Sequence, residues 1–470
     1  MAASRSLAHR SNRRFARTTR RGNGVTARGR AGVRRIRTGN KLLETERTAR
    51  FNQGYEQGYQ LGVQTGIQRY PVPFEGTSIV IPTYNQLALV KQCVETIRWN
   101  TPEPHEIIVV DNASTDGTRA YLQTMGGELR FRVMDRNYGF AGAINAGLMM
   151  AKGRTIVLLN NDTLVTENWL SNMLRCLNSD DNIGMVGPIT NYISGIQMVK
   201  VPYGKLSEMP EFARRNNRPD PSRWRETDLL IGFCLLLRRE LFEEVGYFDE
   251  GFEIGNFEDN DYSVRVKLLG KKLMIAQDSF IHHIGSVSIK AVGDRMAKVN
   301  NQNESFYHRK WPKLGELMDT IHALSGPRKA SMTSLYPERI VVRAIGADYY
   351  WIEEGARRLV EGVLNVPVVK VSQIDLRRWP IGEPIHADEA ERRWYGRQEG
   401  EGGATSYIVR MPDGTVHYIE GNIIRWLHGE AALQGWELHK KPERAPTDVR
   451  LSGLQAGLPI ISPPIMKQSL

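Results

Sequence analysis

The stretch Ile107-Ile108-Val109-Val110-Asp111-Asn112 runs four apolar residues into an acid, and Ile156-Val157-Leu158-Leu159-Asn160-Asn161-Asp162 repeats the arrangement further on. Short apolar runs bounded by turn formers read as strands buried on both faces. Around them the chain alternates. Strand-like 78–82 precedes helical 87–99, strand 106–110, helical 117–125, strand 131–134, helical 141–151 and strand 155–159. This βαβαβαβ order predicts an α/β fold with a mostly parallel sheet covered on both faces. In open α/β sheets, groups at the carboxyl ends of strands face the crevice that binds ligands.

The pattern continues through a strand at 229–238, short helices at 241–245 and 261–269, a strand at 272–275 and helices within 296–325. Beyond Leu335 the texture changes to short strands, turns and Trp. Val342-Arg343, Trp351-Ile352-Glu353 and Arg358-Leu359-Val360 recur as Val409-Arg410, Tyr418-Ile419-Glu420 and Arg425-Trp426-Leu427, each pair 67 positions apart. Gly382-Glu383-Pro384-Ile385 and Gly457-Leu458-Pro459-Ile460 close the two copies. Each copy is small for a core of its own, so the pair is expected to pack as one β-rich domain over 335–465.

The net charge of +11 belongs to one end, because residues 1–50 hold fourteen Arg and one Lys against two Glu. Such a segment is expected to be disordered when free, and to meet an anionic surface through charge. A targeting peptide shares this composition. Residues 51–76 form a linker or helix, in which Gly54, Gly58, Gly62 and Gly66 repeat with period four beside Tyr55, Tyr59, Val63 and Ile67. Written as a helix, the glycines make a ridge suited to self-association through 54–67. No apolar stretch is long enough for a transmembrane segment. Cys93, Cys176 and Cys234 lack metal-ligand spacing, which points to core residues in a reducing, cytoplasmic setting. The basic tail can hold such a protein against a membrane or another anionic surface.

Four segments carry candidate chemistry. Asp111 with Asn112 can accept a hydrogen bond from a base N–H, or cap the helix that follows, a task open to Ser114 or Asp116 as well. In Asn160-Asn161-Asp162, one carboxylate suffices for a hard divalent cation (Mg2+ or Mn2+) whose other ligands are phosphate and water. Asn160 suits a ribose hydroxyl, and a plain turn is the competing role. Glu258-Asp259 sits before a helix, where the dipole keeps a carboxylate ionised, either as a base or as a cap. His282-His283 can complete a metal shell or serve structure. Gly-rich phosphate loops with Lys-Ser/Thr, Gly-x-Gly-x-x-Gly, Gly-x-Ser-x-Gly and His-Glu-x-x-His are all missing from the sequence.

Taken together, residues 77–290 resemble the inverting family-two glycosyltransferases, especially their rhamnosyltransferase-like branch. The match runs through Ser78-Ile79-Val80-Ile81-Pro82-Thr83-Tyr84-Asn85, Val110-Asp111-Asn112-Ala113-Ser114-Thr115-Asp116-Gly117, and Asn137-Tyr138-Gly139-Phe140-Ala141 with Asn145-Ala146-Gly147. It continues in Asn160-Asn161-Asp162, with Asn where many members carry Asp, then Gly246-Tyr247-Phe248-Asp249-Glu250, Phe257-Glu258-Asp259, and His283 followed by Gly285 and Ser288. The resemblance implies a GT-A type nucleotide-sugar transferase domain over 77–330, with a Rossmann-like half and a mixed-sheet acceptor half. It implies a nucleoside diphosphate sugar lined by Pro82, Thr83, Tyr84, Asn85, Asp111, Asn112, Asn137, Gly139, Asn145, Asn160 and Asn161. Asp162 and His283 would serve the metal, and Asp259 with Glu258 the catalysis. The implied reaction moves a hexosyl or deoxyhexosyl group to a glycan, lipid-linked or protein hydroxyl in bacterial surface polysaccharide or glycoprotein biosynthesis. The rival expectation is an inactive transferase fold that binds glycan or a surface through its tail and C-terminal repeats.

Overall fold

The chain, described as a computed structural model over residues 72–285, 294–326, 329–396, 406–449 and 451–468 together with 53–54 and 57–58, places the apolar runs at the middle of one sheet. The basic tail, most of the period-four segment and Ser288 lie outside the described residues. So the expectations of surface binding and self-association fall outside them too.

The main sheet comprises β1 (Phe74–Thr83), β2 (His105–Asp111), β3 (Arg130–Val133), β4 (Gly153–Leu159), β5 (Thr163–Val165), β6 (Ile183–Thr190), β7 (Trp224–Thr227), β8 (Cys234–Arg238) and β9 (Lys272–His283). Their order is β3-β2-β1-β4-β8-β6-β9-β5, with β7 also on β9. The strands β3, β2, β1 and β4 are parallel, because the helices Leu87–Asn100, Thr118–Thr124 and Gly139–Met150 supply the crossovers that parallel pairing needs. One of those helices lies flush on the sheet at Gly147, where an added Cβ would come within 2.2 Å of Val80. Past β4 the sheet turns mixed, with β8 antiparallel to both β4 and β6. The expectation of a mostly parallel sheet therefore holds for the first half only.

Three pairings decide where the chemistry sits. Thr83 pairs with Asp111, Leu159 with Cys234, and Thr163 with His283. All of these positions lie at one edge of the sheet.

Local differences from the sequence expectations have identifiable causes. The strand expected from residue 229 begins only at Cys234. Ile231 N–H donates to Gln197 Oε1 and Gly232 N–H to Asp259 Oδ2, both at 2.8 Å, rather than to a neighbouring strand. β6 was hidden by Gly184, Gly187 and Pro188. The register shifts between Pro188 and Ile189, a bulge of the kind that lets proline sit inside a sheet.

The 67-residue repeat folds as two sheets of identical order. β10 (Ile340–Arg343), β11 (Tyr350–Glu353), β12 (Ala356–Glu361), β13 (Val368–Lys370) and β14 (Ile381–His386) run β13-β10-β11-β12-β14. β15 (Ser406–Arg410), β16 (Val416–Glu420), β17 (Ile423–Trp426), β18 (Glu443–Arg444) and β19 (Gln455–Ala456) run β18-β15-β16-β17-β19. Each copy carries the same ion pair, Arg358 to Glu353 at 3.2 Å and Arg425 to Glu420 at 3.1 Å. The same arginines donate through Nε to Glu383 O at 2.9 Å and Leu458 O at 2.7 Å, in the two closing motifs.

The last described residues return to the first sheet. Glu250 Oε2 accepts from Lys467 N–H and Gln468 N–H at 2.7 and 2.9 Å. Gln468 Nε2 donates to Gly142 O at 2.9 Å.

Candidate functional site

The carboxyl end of β1 is clasped to the turn after β2. Thr83 O accepts from Asn112 N–H at 2.9 Å. Asn85, in the left-handed region at φ 49°, accepts from Thr115 N–H at 2.6 Å and donates its own N–H to Ser114 Oγ at 2.8 Å. Capping is done by Asp116, which takes Leu87 N–H at 2.8 Å and Thr118 N–H at 3.1 Å. Asp111 is thereby free of that task. Its Oδ1 accepts from Ser114 N–H at 2.9 Å, while Oδ2 is buried with no protein partner. Asn112 bridges to the next segment, donating to Asn137 Oδ1 at 2.8 Å and Gly139 O at 2.9 Å. Tyr84 is exposed beside this rim, and Pro82 pairs with Val110 within it.

Asn161 ties β4 to β1 by donating to Thr83 Oγ1 at 2.8 Å. Asn160 N–H donates to Phe233 O at 2.9 Å, and its Oδ1 is a second buried oxygen without a protein partner. Asp162 Oδ1 faces His283 Nε2 at 3.0 Å. His283 Nδ1 faces Tyr192 O at 2.7 Å, so both ring nitrogens meet acceptors. Burial works against the imidazolium, but the hydrogen bond and charge of Asp162 outweigh it and raise the pKa above its usual 6.5. Phe233 stacks on the ring with centroids 5.8 Å apart. Asn191 holds the His283 backbone from both sides, accepting at 2.8 Å and donating at 3.0 Å. His282, on the alternate face of β9, bonds Tyr203 Oη at 2.7 Å instead.

Asp162 and His283 offer one carboxylate and one imidazole. Among the described residues no cluster of three or more His, Cys, Asp or Glu forms a metal cage. That donor set fits a hard cation whose remaining ligands are phosphate oxygens and water. Cys93 lies behind it, 3.7 Å from Asn160 O, and burial pushes its thiol up to about 12, so it offers no thiolate.

Asp259, beside β8, has Oδ2 held by Gly232 N–H at 2.8 Å. The helix start is not the only influence on this acid. Burial pushes Asp259 upward against the backbone hydrogen bonds that favour its charge. Glu258 rises well above its usual value through burial and then the charge of Asp259, and its Oε2 is a third buried oxygen without a protein partner. A base drawn toward neutrality is better matched to proton transfer than one fixed far below it.

Asn145 calls for a correction. It is fully buried, donates to Phe248 O at 2.9 Å and Glu250 Oε1 at 3.1 Å, and accepts from Phe248 N–H at 2.8 Å. Rather than lining a nucleotide, it braces the segment that leads to Glu258. Gly232, Phe233, Asn191 and Tyr192 are the residues that motif reading missed. Only Gly232 left a trace, as the one glycine interrupting an apolar run; an added Cβ there would meet Asp259 Cβ at 3.2 Å.

Residues 78–246 match the family described as Glycosyl transferase family 2. The glycosyltransferase GlyG of Streptococcus pneumoniae is 28% identical over 43% of this chain and 68% of its own length. The chondroitin synthase of Pasteurella multocida is 26% identical over 44% of this chain. This chain spans only 24% of the length of that synthase, and well under two thirds of most of the first curated relatives it matches. Among solved structures, that of GalNAc-T7 with UDP, GalNAc and Mn2+ aligns over 53% of this chain and 51% of its own, at 19% identity and a TM-score of 0.40. Among the described residues, no helix is long and apolar enough to cross a membrane. The rim built by β1, β2 and β4 therefore lies in the stretch that matches glycosyl transferase family 2, and glycosyltransferases stand among the proteins this chain is similar to.

Proposed function

We propose that this protein is a metal-dependent inverting glycosyltransferase of the rhamnosyltransferase-like branch. It moves a hexosyl or deoxyhexosyl group from a nucleoside diphosphate sugar to an acceptor hydroxyl of a glycan, lipid-linked or protein substrate. Synthesis of a bacterial surface polysaccharide or glycoprotein is the setting we favour, and a relative named for making chondroitin supports a glycan acceptor. The observation that carries the reading is the placement of two buried, unpartnered oxygens, Asp111 Oδ2 and Asn160 Oδ1, at the carboxyl ends of the parallel strands β2 and β4. Unmet buried oxygens are costly in a finished protein, so their position at the ligand-binding end of the sheet calls for a ligand rich in N–H and O–H donors.

In this reading Asp111 Oδ2 accepts an N–H of the base, and Asn160 Oδ1 accepts from a ribose hydroxyl. Asp162 and His283 would hold Mg2+ or Mn2+, which when bound would neutralise the charge growing on the leaving diphosphate. Asp259 accepts the acceptor's hydroxyl proton as its oxygen bonds to the anomeric carbon from the face opposite the departing diphosphate. The carbon–oxygen bond to the diphosphate breaks with its electron pair, and the anomeric centre inverts. Glu258, next to Asp259 in sequence and with an unpartnered Oε2, can take a hydrogen bond from the acceptor and help to orient it.

Thermal unfolding of the full chain against a panel of nucleoside diphosphate sugars, with Mg2+ or Mn2+ and with EDTA, tests this. One donor is expected to raise Tm only with metal, and Asp111→Ala to abolish that rise. A panel that leaves Tm unmoved with metal present would sink the reading.

A further inference from the structure

The acids of the crevice are delivered by a loop whose backbone is strained and whose anchor lies outside the family motifs. Ile254, Asn256 and Phe257 adopt φ of 59°, 76° and 73°. This left-handed region is unfavourable for non-glycine residues, most of all for a β-branched one. Phe257 directly precedes the helix Glu258–Leu268, so these three torsions set where Asp259 points. Strained backbone persists only where its surroundings over-determine it.

One buried side chain supplies most of that constraint. Asn303, on the helix Asp294–Lys310, is 2% exposed. Its Oδ1 accepts from Glu253 N–H at 3.0 Å. Its Nδ2 donates to Glu253 O and Gly255 O at 2.9 Å and to Asn256 O at 3.1 Å. The same helix presses Phe306 on Phe252, centroids 4.8 Å apart, and Tyr307 on Phe257 at 5.7 Å. From the other side, Ile254 O accepts from Phe140 N–H at 2.9 Å. A Cβ on Gly139 would come within 3.1 Å of Ile254 N, so the loop sits directly against the 137–140 segment. Asn303 thus fixes a loop that touches the nucleotide side and ends in the acids.

We propose that Asn303 is a positioning residue for sugar transfer, its amide locking the left-handed loop so that Asp259 faces the acceptor hydroxyl. This rests on the glycosyltransferase reading with Asp259 as base. The amide is needed whole, because it answers an N–H with its oxygen and carbonyls with its nitrogen. Neither Ala nor Asp does both.

Steady-state kinetics of the full chain with its donor separates the cases. Asn303→Ala is expected to lower kcat roughly 10- to 100-fold with donor KM within about twofold, as small misplacements of a catalytic group do. A residue that merely knits the core would lower Tm and leave kcat per folded molecule alone. Ile254→Gly serves as a second variant, since glycine takes positive φ without strain. It should leave Tm level or higher while kcat drops roughly fivefold, because the loop gains freedom. Normal kcat in Asn303→Ala beside an inactive Asp259→Asn overturns the positioning role and spares the reading beneath it. Normal kcat in both overturns that reading as well. Should Asn303→Ala fail to fold, a wild-type kcat in Ile254→Gly overturns the proposal on its own.

Discussion

Certain buried carboxylates at the rim of the first sheet and in the C-terminal sheets meet opposite fates. In the C-terminal sheets, Glu353 is met by Arg358, Arg393 and, at 3.6 Å, Arg339. Glu420 is met by Arg425 and by Glu338 N–H. At the rim of the first sheet, Asp111 and Glu258 are as deeply buried, yet each keeps an oxygen with no protein partner. Burial is costly in both places, and only the repeats answer it internally. The difference separates acids answered by arginines from acids that keep an oxygen open.

The sharpest attempt to break this contrast is Asp259→Asn. Turnover should fall roughly 10²–10⁴-fold while calorimetric donor affinity survives; near-normal turnover would remove Asp259 as the base. In the repeats the loss should appear in stability instead. Arg425→Ala strands Glu420 and is expected to cost on the order of 3–5 kcal/mol in urea unfolding. Arg358→Ala should cost less, because its side chain is 25% exposed against 7% for Arg425. Equal losses would mean that exposure does not set the value of this pair.

A gentler probe is pH. His428 is fully buried with neither ring nitrogen partnered, and burial lowers its pKa to about 4. The unfolded chain takes up that proton near the ordinary 6.5, ahead of the folded one. Its neutral form therefore contributes full stability above about pH 6.5, and that contribution is lost as pH falls toward 4. The loss is on the order of 3 kcal/mol over that window. In His428→Phe the slope of unfolding free energy against pH should flatten there; an unchanged slope would assign it to other groups.

Much of this was legible because it depended on period and composition. Four apolar residues running into Asp111, and four more running into Asn160-Asn161-Asp162, are visible, and the 67-residue echo is visible at Glu353 and Glu420. What could not be read depended on contacts across long sequence separations. Gly232 looks like a flaw in a strand until Asp259, 27 positions on, takes its N–H. Asn145 stands among residues expected to line the nucleotide, yet its amide is consumed by Phe248 and Glu250. The upward push on Asp259 is hidden for a related reason: the sequence displays the helix start but not the depth at which it is buried.

The grip of Glu250 on Lys467 and Gln468 has a consequence for biogenesis. Glu250, Asn145 and Gly142 belong to the first sheet's environment, yet the amides that satisfy Glu250 are made more than two hundred residues later. During translation the Glu250 carboxylate has only the Asn145 amide to meet it until residues 467 and 468 are made. Completion of the front of the molecule is thereby timed by its rear, and a stalled chain would leave the ribosome with a half-stitched crevice.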